Sequence, residues 1–258
     1  MTLLVFFIKD KKLKNIMNKE LHEKTFLSIE GSYSNLEITL FQNQKNIQTL
    51  SENNLKASSK LILAIDSILK QNKITLSDLD FIAVNQGPGA FTSLRVVIST
   101  VNGISFANKI PLIGIDGLDA LSLQTLKEFD FINSITKPTM LISLLNAYNN
   151  EVYFSVNKII ENELEKIIPN NYKKIDLFLD EISKQFANKK ILFTGNGTIL
   201  HKGLIQEKFG SNAIFQKNIL QTPSAKQIGI MALQKSDQQK EFKLKPLYLK
   251  SQAFIVKK

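Results

Sequence analysis

The 258-residue sequence contains no cysteine and no tryptophan, only two histidines, and a single arginine among 33 basic residues. Without cysteine there is no disulfide, no thiolate nucleophile and no thiolate metal ligand, which fits a reducing, cytoplasmic setting. His22 and His201 are far apart and form no pair at helical spacing, so the ligand pattern of a zinc peptidase is missing. Neither has the glycine-framed, acid-supported surroundings of a serine triad. Both read as solvated side chains, His22 near the start and His201 on a surface helix beside Lys202. Long apolar runs are missing as well. Leu3–Ile8 is too short to span a membrane, and its lysines follow the run where a signal peptide would place them before it.

What is present is a formal net charge of +10 and 43% hydrophobic residues, enough apolar material for a substantial core. The lysines are dispersed, whereas base readout and stacking favour arginine and clustered aromatics. Direct sequence-specific recognition of nucleic acid is therefore not expected, and phosphate contact is expected to be weak.

The one arginine closes the one sharply written motif, Asn85-Gln86-Gly87-Pro88-Gly89-Ala90-Phe91-Thr92-Ser93-Leu94-Arg95. Asp80–Asn85 is an apolar run suited to a buried strand, and Gly87-Pro88-Gly89 is a sharp corner. A helix is predicted next, with Leu94, Val97, Ile98, Val101 and Ile104 as its core-directed stripe. Arg95 reads as a position that needs a planar, forked guanidinium, facing a carboxylate within this chain or on a partner. No Gly-Lys-Ser/Thr and no third glycine in register mark the corner as a phosphate loop. Gly103 stands mid-helix at a cost of about 1 kcal/mol against alanine, which predicts close approach by another element, from this chain or from a partner.

The run from Gly87 to Arg95, with Gly103 and Ile110–Ile115 after it, resembles the TsaB (YeaZ) family, partner subunits in bacterial threonylcarbamoyladenosine synthesis on tRNA. Phe26–Glu30, Glu151–Tyr153 and Pro246–Leu249 are similar to its opening strand, central hairpin and closing segment, so the resemblance spans roughly residues 24–250. Its usual aspartate is Glu30 here, its motif serine and second glycine are Ala90 and Ser93, and Asn146 and Tyr148 replace an aspartate and an arginine.

The resemblance implies an α/β protein of two tandem actin-like ATPase/sugar-kinase-type (ribonuclease H-like) domains, and the residues are consistent with two copies of β-β-β-α-β-α. The expected division is a leader over 1–23, with Met17 a natural start; a first domain over 24–116, carrying the pairing helix 90–108; a second over 117–223; and a C-terminal helix and tail over 224–258 packing back on the first. The two domains would join around Lys127–Pro138. Strands are predicted at 25–50, 80–86, 111–115, 140–146, 151–157, 159–168, 191–194 and 213–216. Helices are predicted at 55–69, 91–108, from 117, at 175–186, after Gly197, and at 224–235.

The resemblance further implies a non-catalytic subunit that heterodimerises with the catalytic homologue TsaD, helps recruit the ATPase TsaE, and pairs with itself through the same helix face. The modified base would be the adenosine beside the anticodon of tRNAs that read codons beginning with A, contacted by this chain weakly or indirectly. Candidate interface residues are Gly87, Pro88, Gly89, Phe91, Leu94, Arg95, Thr100, Gly103 and Ala107. Glu30, Ser32, Gly195 and Gly197 are candidate remnants of a nucleotide site. No cofactor is expected to bind tightly, ATP or ADP being confined to the assembled complex and metal to the partner. The rival reading is an active small-molecule kinase, with Glu30-Gly31-Ser32 at the phosphates and Gly195-Asn196-Gly197 at the adenosine, although Tyr33 is bulky where phosphate must approach. A glycoprotease-like metallopeptidase ranks below both.

Overall fold

The structure, a computed structural model, describes residues 24–52, 57–129, 137–237 and 241–250. The leader, Met17, His22, the expected helix start at Leu55 and most of the expected junction lie outside these residues.

The first sheet has the order β3-β2-β1-β4-β5, built from β1 (Thr25–Glu30), β2 (Leu36–Gln42), β3 (Lys45–Glu52), β4 (Phe81–Gly87) and β5 (Leu112–Asp116). Its first three strands are antiparallel, and β1, β4 and β5 are parallel. Side chains alternate across the pleat, and both faces are buried. Leu27, Ile29, Ile38, Leu40, Ile82 and Val84 face α1 (Ala57–Gln71) and α2 (Phe91–Asn108). On the other face Phe26 stacks between Phe41 and Phe81, with ring centroids 4.7 and 4.3 Å away.

The second sheet repeats the plan in the order β10-β9-β6-β7-β8, from β6 (Met140–Asn146), β7 (Glu151–Ile160), β8 (Glu163–Lys174), β9 (Ile191–Thr194) and β10 (Ala213–Phe215). Read from β8 to β10, this is the connectivity of the first sheet, and the molecule has the actin-like ATPase/sugar-kinase fold in two lobes. On one face α4 (Ile175–Gln185) and α6 (Lys202–Phe209) cover the sheet through Phe178, Ile182 and Ile205.

The closing helix of each copy crosses over. α3 (Gly117–Glu128), capped by the Asp116 carboxylate accepting from the Leu118 and Asp119 amides, lies between the sheets. Its Ala120 packs with Ile113 and Ile115, and its Leu126 with Leu141 and Leu192. α7 (Ala225–Lys235), capped by Ser224, returns to the first sheet through Ile228, Met231 and Ala232. Buried hydroxyls also join α3 to the second sheet: Ser122 and Ser143 share a 2.8 Å hydrogen bond, and Thr125 donates to Thr194 at 3.0 Å.

Three local expectations need correction. The β7–β8 turn falls at Glu161-Asn162, both left-handed, so Ile159 and Ile160 belong to β7. β8 then runs through Pro169 to Lys174, which an edge strand tolerates because the missing N–H has no neighbour to serve. The helix after Gly195 is split at His201 into α5 (Asn196–Leu200) and α6. His201 itself is buried at 8% exposure rather than solvated. Its Nε2 has no hydrogen-bond partner among the described residues, and burial lowers its pKa.

Candidate partner interface and interlobe cleft

At the corner, Gly87 has φ +118°, Gly87–Pro88 is cis, and α2 begins at Phe91. A Cβ on Gly89 would stand 2.6 Å from the Ser32 carbonyl oxygen, so the β1–β2 loop closes directly onto the corner. Gly87, Pro88 and Leu94 are buried within the chain, which leaves Gly89, Phe91, Arg95, Thr100, Gly103 and Ala107 as the interface candidates with surface to offer.

Three different environments around α2 explain why an 18-residue helix carries one charge. Leu94, Val97, Ile98 and Val101 enter the core, joined by Ser105 in place of Ile104, which is half-buried. A second flank is covered by the chain's own segment 241–250. Glu241 bridges the edge strand at Leu112, and Ser105 donates to the Phe242 carbonyl at 3.1 Å. The Asn102 amide exchanges two hydrogen bonds with the backbone of the buried Leu244, at 2.8 and 2.9 Å. Leu247 N–H donates to the Gln86 carbonyl at 2.8 Å, and Lys250 pairs with Glu151 in the second lobe. The anchors of this strap have no signature in the sequence, because the segment has no periodicity and is held by single polar side chains.

The third flank is left uncovered by the described residues. Phe91, Arg95, Ser99, Gly103 and Phe106 are exposed at steps of three and four, which places them along one side of the helix. Phe106 is 78% exposed, and a Cβ on Gly103 would meet nothing within 4 Å. The close approach expected at Gly103 is therefore not made by any described residue of this chain. Ser99, Phe106, Phe242 and Tyr248 were not singled out from sequence as site residues. Extending the spacing from Arg95 by four, eight and eleven would have found Ser99 and Phe106.

Among the described residues Arg95 faces aromatics rather than a carboxylate. Its guanidinium carbon lies 3.5 Å from the centre of the Phe91 ring, and its Nε–H donates to the Tyr248 hydroxyl at 2.8 Å.

The interlobe cleft holds the other candidates. Glu30, at the end of β1, is buried: Oε1 accepts from the Ser32 amide at 3.0 Å and hydroxyl at 2.6 Å, and Oε2 accepts from the Asn85 amide. Burial lifts its pKa from 4.5 to about 7 against the lowering effect of those hydrogen bonds. Tyr33 fills the space between the lobes, packing with Leu118, Leu121 and Leu145 and donating to the Asn146 carbonyl at 2.7 Å. Opposite, Gly195 (φ +99°) would collide with the Leu144 carbonyl if it bore a Cβ. Its N–H donates to the Leu220 carbonyl at 2.9 Å, and that of Asn196 donates to the Gln221 carbonyl at 2.8 Å. Gly197 is buried against the Leu144 backbone. The amides and the acid that would receive a nucleotide are thus engaged with this chain. Among the described residues no three His, Asp or Glu side chains gather into a metal-holding group, and no helix is long and apolar enough to cross a membrane.

Residues 53–256 match the family model described as TsaD, tRNA N6-adenosine threonylcarbamoyltransferase. The chain is 28% identical over 194 residues to the tRNA threonylcarbamoyladenosine biosynthesis protein TsaB of Buchnera aphidicola from Schizaphis graminum, covering 65% of this chain and 87% of that one. It is 22% identical over 215 residues to TsaB of Bacillus subtilis, covering 82% and 88%. The solved YeaZ of Pseudomonas aeruginosa superposes with a TM-score of 0.65 at 19% identity, over 88% of this chain and all of that one, a likeness of fold. With most of its length matched by that family model and its relatives named TsaB, the chain belongs to the tRNA threonylcarbamoyladenosine biosynthesis family, on its TsaB (YeaZ) branch.

Proposed function

We propose that this protein is a non-catalytic, cytoplasmic subunit that binds and activates a TsaD-type threonylcarbamoyltransferase, with TsaE joining the pair. The observation that carries this reading is the bare side of α2, where Phe91, Gly103 and Phe106 face outward on a helix whose other sides are already covered. A nearly uncharged helix is stable against water only when covered nearly all round. Ser99, Gly103 and Ala107 recur every four residues, which favours close approach by another helix, and Ile62 and Leu63 of the adjoining α1 are exposed too. The chemistry would then belong to the partner, which alone would hold metal, and any tRNA contact by this chain would be weak. Against the kinase reading stands Tyr33, which occupies the space between the lobes, and against the peptidase reading the scattered histidines.

Co-expression with the TsaD-type subunit of the same organism, followed by size-exclusion chromatography, tests the reading. One shared peak, with threonylcarbamoyl transfer restored to the partner, is expected. Migration as separate peaks, or ATP turnover by this chain alone on a small substrate, would overturn it.

A further inference from the structure

We infer that Arg95 is a receptor for one carboxylate of the partner subunit, held ready by Phe91 and by Tyr248 of the strap. This deepens the pairing role proposed above and rests on it.

The guanidinium has five N–H donors. One, on Nε, is given to the Tyr248 hydroxyl, and one flat face lies on Phe91. Tyr248 packs against Phe91 in turn, their ring centres 5.7 Å apart. These contacts fix the plane of the fork while its terminal nitrogens have no hydrogen bond or ion pair among the described residues, and the side chain is exposed. A fork fixed in plane with both outer arms free matches the bidentate geometry of a carboxylate, and fixing it beforehand reduces the entropy lost on docking. An ammonium would have neither the flat face for Phe91 nor the second arm.

Charge argues for a protein carboxylate over a nucleic acid. Phosphate backbones are met by several cations together, whereas Arg95 is the only charged residue of α2 from Phe91 to Asn108. Its exposed neighbours are the rings of Phe91 and Tyr248, while Phe106, farther along the same side, carries Lys109, the next cation, over its ring at 5.1 Å. A cation seated on the rings of Phe91 and Tyr248 suits the rim of a protein interface, where a single aspartate or glutamate can be partly screened from water.

The strap acquires a role from this. It brings Tyr248 to the first turn of α2, so the docking surface combines two segments 153 positions apart.

The test measures affinity for the TsaD-type subunit by isothermal titration calorimetry, with melting temperature recorded for every variant. Arg95→Lys and Arg95→Gln are expected to weaken binding at least about tenfold, and Tyr248→Phe, which removes only the acceptor for Nε–H, about threefold. Melting temperatures should stay within about 2 °C of wild type. Phe106→Asp lies about 16 to 17 Å along the helix from Arg95, and it tests the pairing face independently. If Phe106→Asp abolishes binding while Arg95→Gln binds as wild type, the carboxylate receptor is refuted and the pairing face stands. If Phe106→Asp also binds normally, α2 is not the pairing face and both inferences fall. A large drop in melting temperature for Arg95→Lys with unchanged affinity would mean that the arginine serves its own chain. Loss of tRNA binding without loss of partner binding would assign it to phosphate, and either result overturns the proposal.

Discussion

Glu30 and His201 are buried titratable groups whose burial gives the protein pH dependences of opposite sign. The Glu30 carboxyl titrates near 4.5 when free and near 7 in the fold, because desolvation outweighs the hydrogen bonds from Ser32 and Asn85. Below about 4.5 both folded and unfolded chains hold the proton, and this group adds no pH dependence. As pH rises toward 7 the unfolded chain releases the proton first, so stability falls, by on the order of 3 kcal/mol in all, and levels off above 7. His201 acts the other way: its folded pKa is depressed, so stability is lost as pH falls below the ordinary value of 6.5. Glu30→Gln cannot ionise, so urea unfolding of the variant should lack the Glu30 component. Between pH 5 and 8 the wild type should lose about 2 to 3 kcal/mol relative to the variant. Parallel stability curves for the two proteins would sink this account. The variant's absolute stability is a separate matter, since its amide N–H groups would face the Asn85 donor.

At the scale of elements, strands and helices were legible wherever burial followed a simple period. β6 is apolar throughout because both its faces are buried, and α2 shows its 3.6-residue stripe from Leu94 to Val101. Interactions set by fit between distant elements were not. Gly229, inside α7, carries no local signal, yet a Cβ there would lie 2.8 Å from Cζ of Phe41 and closer still to another ring atom. Phe41 cannot yield easily, because it is stacked on Phe26. Gly229→Ala should therefore lower stability by about 1 to 3 kcal/mol through overpacking, although alanine is the better helix former by about 1 kcal/mol. Phe41→Leu in the Gly229→Ala background should recover part of the loss by opening the space. Chemical denaturation of the single and double variants decides it, and a Gly229→Ala protein more stable than wild type would show that α7 shifts freely on the sheet.

At the scale of the whole molecule, the repeated plan and the course of the C-terminal helix and tail were expected from the sequence, but the contacts by which three features unite the lobes were not. α3 and α7 cross between copies, Tyr33 closes the cleft, and the strap ties Leu112, Asn102 and Gln86 to the second lobe. Each joins residues remote in sequence, and the pairing of such residues is something no local pattern encodes. Together they hold the lobes in a single relation and leave the bare side of α2 as an outward face of a braced body. A substitution there should separate folding from assembly. In Gly103→Leu the new Cβ meets no described residue within 4 Å, and leucine suits a helix better than glycine by about 1 kcal/mol. The isolated variant should melt at or slightly above the wild-type temperature. Assembly should fail, because leucine fills the gap between Ser99 and Ala107 that an incoming helix would enter. If copies of this chain also pair through that face, analytical ultracentrifugation should show the variant shifted to monomer, and in the wild type the TsaD-type subunit should compete with self-association. A variant that melts normally and still forms both assemblies would place pairing elsewhere. One that melts several degrees lower would mean that Gly103 lies against its own chain.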